Sequence, residues 1–123
     1  MKSIIKHKDE CVIAGTLCAE YTPATYRTKD GAAYYQFKFV DIDGKFEIDI
    51  LSQPSYGTRD SSLVATHRLP SSRGGHKICI TEGKEPQTIE STRKISMEWA
   101  ELTNTYIKTG QSIDSQVAAN ART

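Results

Sequence analysis

Between Tyr34 and Ile50 apolar and polar residues alternate with a period of two on both sides of the pair Asp43-Gly44. Tyr35, Phe37 and Phe39 interleave with Gln36 and Lys38, and Phe46, Ile48 and Ile50 interleave with Glu47 and Asp49. That period gives two strands with one apolar face each. Asp-Gly is a favoured two-residue turn, so the strands form a hairpin. Upstream, Cys11 to Cys18 reads as a first strand rich in β-formers, broken by Thr22-Pro23-Ala24-Thr25. Ser52 to Ser62 carries Pro54, Gly57 and several hydroxyl residues and reads as a surface loop. Two short strands, Leu63 to His67 and Lys77 to Thr81, then flank Pro70-Ser71-Ser72-Arg73-Gly74-Gly75.

After Pro86 and Thr88 the period changes. Ile89, Ile95, Trp99, Leu102 and Tyr106 recur at the spacings of one helix face, Lys108 suits the negative end of the helix dipole, and Gly110 closes the element. Gln111 to Thr123 is small and polar without an apolar stripe, and is expected to be a weakly ordered tail. The pattern therefore predicts an α+β fold: an antiparallel β-meander of four to five strands with one long C-terminal helix packed on one face. Residues 1–110 form the single domain and 111–123 the tail.

Composition adds exclusions. A chain of 123 residues supports one domain that folds without staples, and a net charge of +1 gives no global field for nucleic acid or a membrane surface. Cys11, Cys18 and Cys79 are an odd number with no C-x-x-C pair, which fits a reducing cytoplasm. The N-terminal residues are charged, and no run reaches membrane-spanning length, so neither export nor a membrane is expected.

Candidate chemistry concentrates between Thr66 and Ile80. This stretch holds His67, His76, a Gly-Gly pair and Cys79, with Arg68, Arg73 and Lys77 among them. A thiol after a flexible turn and near imidazoles can be both reachable and activated. The bland alternative is that Cys79, between Ile78 and Ile80, packs as a small core residue, the role also assigned to Cys11 and Cys18. In a simple hairpin Thr66 lies opposite Cys79 and His67 opposite Ile78, which separates imidazole from thiol; one residue of slip reverses this. Arg68, Arg73, His76 and Lys77 form a basic neighbourhood suited to an anion or an acidic partner. His67, His76 and Cys79 lack a fourth ligand at metal spacing, and Asp41, Asp43 and Asp49 lack a calcium loop, so no metal or other cofactor is expected.

The order Phe46-Glu47-Ile48-Asp49-Ile50, a loop with Pro54 and Tyr56, then His67, a proline, a glycine-bearing loop, Ile78-Cys79-Ile80 and a helix opening at Pro86 resembles the core of ubiquitin-conjugating enzymes over about residues 35–95. The resemblance implies a thioester on Cys79, His67 at the family's histidine position, and a ubiquitin-like modifier or its target protein as partner. The chain departs from the family in lacking its N-terminal helix and the asparagine that stabilises the oxyanion. Ser71, Ser72 or Arg73 would have to substitute for that asparagine. Residues 11–39 are locally similar to single-stranded-DNA-binding OB-fold proteins. That similarity implies Tyr21, Tyr26, Tyr34 and Phe37 as stacking platforms, with Arg27, Lys29 and Lys38 on phosphates. The helical last third leaves no strands to close a barrel. A small accessory interaction domain of a phage or mobile element is the third reading.

Overall fold

The structure, a computed structural model, describes residues 8–13, 16–21 and 23–121. Its elements run β1 (Lys8–Ile13), β2 (Thr16–Tyr21), β3 (Ala24–Arg27), β4 (Tyr34–Ile42), β5 (Lys45–Ser52), α1 (Leu63–Thr66), β6 (Arg68–Pro70), β7 (His76–Ile78), α2 (Ile89–Thr109) and α3 (Ile113–Ala121). The fold is α+β, and its sheet is antiparallel and meander-like.

The β4–β5 hairpin is the centre of the molecule. Phe37 faces Ile50 and Phe39 faces Ile48, so the aromatic and aliphatic rows read from the sequence share one face. Tyr35, Phe37, Phe39 and Ile48 are buried there beneath α2. Trp99 meets the rings of Tyr35 and Phe37 edge-on, at centroid distances of 5.8 and 6.0 Å. Between those anchors α2 turns a row of small residues inward: Thr92, Ser96, Ala100 and Thr103 are buried, which brings helix and sheet close together. Thr92 and Ser96 donate to carbonyls of their own helix turn or its cap, at 2.7 and 2.8 Å, so these two buried hydroxyls are paired, whereas that of Thr103 has no partner among the described residues.

Helix α2 starts and stops where the sequence places its signals. The Thr88 hydroxyl accepts the Ser91 N–H at 3.1 Å, and Gly110 ends the helix with φ of 82°. A Cβ on Gly110 would also lie 2.8 Å from Nη1 of Arg59, whose Nε donates to the Ile107 carbonyl. Gly110→Ala is expected to destabilise the protein by about 1 kcal/mol, read by urea unfolding.

Four features differ from expectation. The first strand is two: Cys11 and Cys18 pair across a β1–β2 hairpin, while Ala14 and Gly15 lie outside the described residues. Packing of the Cys11 and Cys18 side chains lies outside them as well. After Pro23 the chain rejoins the sheet as β3, which pairs with the first half of β4 where β2 pairs with the second, and the described residues form seven strands in all. Leu63–Thr66 is a helical turn rather than a strand, because Ser62 caps it through the Ala65 N–H and His67 ends it in the left-handed conformation. The expected weakly ordered tail contains α3, held by buried Ile113 and by the Gln116 side chain, which donates to the Leu102 and Gln111 carbonyls at 3.1 and 3.0 Å.

The OB-like reading of the N-terminal third meets an open sheet: the strand order β1-β2-β4-β5-β7-β6 leaves β1 and β6 at its ends. Of the stacking candidates, Phe37 is buried in the core and Tyr26 donates from its hydroxyl to Glu101 on α2. Tyr34 is exposed, with the Arg27 guanidinium 5.6 Å from its ring centre. No helix among the described residues is long and apolar enough to cross a membrane.

Candidate active site around Cys79

The register of the small β6–β7 hairpin decides whether the thiol and the imidazole meet. Arg68 faces Ile78, so the next pair outward is His67 with Cys79, and the Cys79 N–H donates to the His67 carbonyl at 2.8 Å. This is the one-residue slip relative to a simple hairpin. Its physical cause is the left-handed backbone of His67, with φ of 53° and ψ of 48°, which swings the chain out of α1 and into β6 one residue late. A positive φ is uncommon outside glycine but less so for histidine, and such residues gather at functional sites.

Exposure of Cys79 follows from alternation. Ile78 is buried and Ile80 packs against the core, so the residue between them faces out. Cys79 is a free, exposed thiol. The flanking isoleucines therefore hold the backbone and leave the sulfur to solvent.

His67 is positioned from two sides. Its Nε2 lies 2.9 Å from Oδ1 of Asp114, in the first turn of α3. A carboxylate accepts hydrogen bonds, so Nε2 carries the proton in the neutral ring and Nδ1 keeps a lone pair. Asp114 thus orients the imidazole, while Cys79 meets His67 only along the backbone. Among the described residues no hydrogen bond joins the thiol to the imidazole; the two are neighbours through the backbone. Asp114 was not singled out in the sequence. The signal available was Ser112, whose hydroxyl accepts the Ser115 N–H at 3.0 Å and opens a short helix at Ile113-Asp114.

Of the substitutes proposed for the missing oxyanion donor, Ser71 and Arg73 are engaged as donors elsewhere, and Ser72 is engaged only as an acceptor among the described residues. Ser71 donates to Asp49 at 2.8 Å, the Ser72 hydroxyl accepts from Arg73, and Arg73 donates to Asp49 and Glu47 at 2.6 and 2.7 Å. The same network removes two of the four basic residues from any anion site, since Lys77 reaches Glu47 at 3.1 Å. Burial would raise the carboxyl pKa of Glu47, yet hydrogen bonds and charge from Arg73 and Lys77 more than offset it and hold it below the usual range.

Arg68 and His76 are placed differently. The Arg68 guanidinium stacks on the Tyr56 ring at 4.9 Å and donates from Nε to Thr66 Oγ1 and from Nη2 to the Ser61 carbonyl, at 2.9 and 3.0 Å. Thr66 is fully buried and its carbonyl accepts the Trp99 indole N–H at 3.1 Å, which ties Arg68 and His67 to the core through one residue.

The chain matches no protein-family model, no curated protein and no solved structure. What the site can do follows from its own geometry. Among the described residues no group of three histidine, cysteine or acidic side chains is arranged to hold a metal ion. The arrangement offers a solvent-facing thiol, a backbone hydrogen bond from the same residue to His67, and a carboxylate that holds the His67 ring.

Proposed function

We propose that this chain forms a thioester on Cys79 and passes the acyl group to an amine, as the resemblance to ubiquitin-conjugating enzymes implies. The observation that carries the proposal is an exposed thiol whose backbone N–H is fixed to the carbonyl of an imidazole-bearing residue. In the first step the Cys79 sulfur attacks the carbonyl carbon of an activated C-terminal glycine. The S–C bond forms, the bond to the leaving group breaks, and the thiol proton passes through His67 or solvent. In the second step a lysine amine of the target attacks the same carbon. The C–N bond forms, the C–S bond breaks, and the proton lost by the amine nitrogen passes to the departing thiolate or to solvent. Asp114 holds the ring through which the proton moves and acts as a positioning residue.

Incubation with a short peptide thioester ending in Gly-Gly tests this reading by intact mass. An acyl adduct on Cys79 that a thiol reductant reverses is expected, absent in Cys79→Ser and formed roughly a hundredfold more slowly in His67→Ala. Peptide mapping separates Cys79 from Cys11 and Cys18. Absence of an adduct at Cys79 in the folded protein would overturn the proposal.

A further inference from the structure

The four basic residues of the 66–80 stretch divide into two pairs. Arg73 and Lys77 are neutralised by Asp49 and Glu47, whereas Arg68 and His76 line one continuous surface groove. Two shallow depressions, of about 380 and 390 Å³, share Gln53 and Arg68 and so run together. Tyr56 and Ser61 border one end, and Gly75 and His76 the other.

Arg68 stands where the two meet and is held rigidly. Stacking on Tyr56 fixes the guanidinium plane, and the bonds from Nε and Nη2 to Thr66 and Ser61 fix its rotation. Nη1 donates to nothing among the described residues, and the His76 ring likewise has no hydrogen-bond partner there. A guanidinium with a fixed plane and free donors loses little entropy on binding an anion, and its fork matches two oxygens of one group. At the His76 end Gly75 presents bare backbone: with φ of 66°, even a Cβ built on it would meet nothing within 4 Å.

From this we infer that the groove is a binding site for an oxyanion, a phosphate or carboxylate group, gripped by Arg68 with His76 as the second contact. The inference does not rest on the thioester reading, since it uses neither Cys79 nor His67.

Titration of the full chain with inorganic phosphate and, separately, with acetate tests it by calorimetry and amide NMR. The expected result is saturable binding in about the millimolar range, which a few charge-assisted hydrogen bonds supply. Shifts should centre on Gly75, His76 and the Arg68 Nε resonance. Arg68→Gln should weaken binding at least tenfold and His76→Gln several-fold, while the remote Lys84→Gln and the thiol variant Cys79→Ser leave it unchanged. Tighter phosphate identifies a phosphoryl ligand, and tighter acetate a carboxylate ligand; either supports the site. Non-saturable binding of both ions overturns it, as do shifts centred elsewhere in the wild-type protein, which settle the matter even if Arg68→Gln fails to fold. Loss of adduct formation at Cys79 with phosphate or acetate binding intact would remove the thioester reading alone.

Discussion

Trp99→Ala is expected to lower stability by about 3–5 kcal/mol, a large fraction of the total for a protein of this size. The indole fills the space between α2 and the β4 face, edge-on to both Tyr35 and Phe37, and is nearly fully buried. Its removal opens a cavity that rigid neighbours cannot close, because β4 is fixed by pairing with β5 along most of its length. The loss is also polar: the Thr66 carbonyl forfeits the indole N–H it accepts at 3.1 Å. Since Thr66 precedes His67 and accepts from Arg68, the damage should reach the thiol loop before global unfolding. Trp99→Phe separates the two effects, keeping most of the ring packing and losing the hydrogen bond. Guanidinium denaturation should place Trp99→Phe between the wild type and Trp99→Ala. Hydrogen exchange at Cys79 NH, which is bonded to the His67 carbonyl, should quicken in both variants.

The elements legible in the sequence are those whose local signals agree with their tertiary role. Alternation in Tyr35–Phe39 and Phe46–Ile50 survives because one face of both strands is covered by α2. The ends of α2 were legible because Thr88 and Gly110 satisfy its terminal groups by local chemistry alone. Leu63 to His67 misled because a β-rich composition says nothing about a backbone turned left-handed at His67, and Ser62 as a cap outweighs the strand propensity of Leu63 and Val64. Residues 113–121 misled because the anchors of α3 are few, chiefly Ile113 and Gln116, too sparse to register as a stripe. The candidate site inherits both errors. Cys79 and His67 were found by type, but their pairing depends on the His67 backbone, and Asp114 lies 47 residues away on the helix that was expected to be tail. Basic character was legible at Arg68, Arg73, His76 and Lys77; which of them meet a carboxylate was not, because Glu47 and Asp49 reach the loop only through the pairing of β5 with β7.

That pairing sets up the second large effect. Asp49 is only 4% exposed, and Arg73 covers both of its oxygens from Nε and Nη2 at 2.6 and 2.9 Å while also reaching Glu47. Arg73→Met is expected to destabilise the protein by about 3–5 kcal/mol, because it strands a buried carboxylate rather than because the ion pair is itself strongly stabilising. The double variant Asp49→Leu/Arg73→Met removes both charges and should recover most of that loss, a result that pairwise attraction alone would not give. Acid sensitivity follows from Glu47. Its folded-state pKa is held below the ordinary value of 4.5, so the unfolded chain binds its proton first as pH falls. The stabilisation is therefore present in full well above pH 4.5 and is lost as pH drops through the folded-state value. Arg73→Met leaves Glu47 only Lys77, so its urea midpoint should fall less between pH 6 and pH 3 than the wild-type midpoint does. An equal or steeper acid loss in Arg73→Met would show that Arg73 does not hold the Glu47 carboxylate in its ionised form.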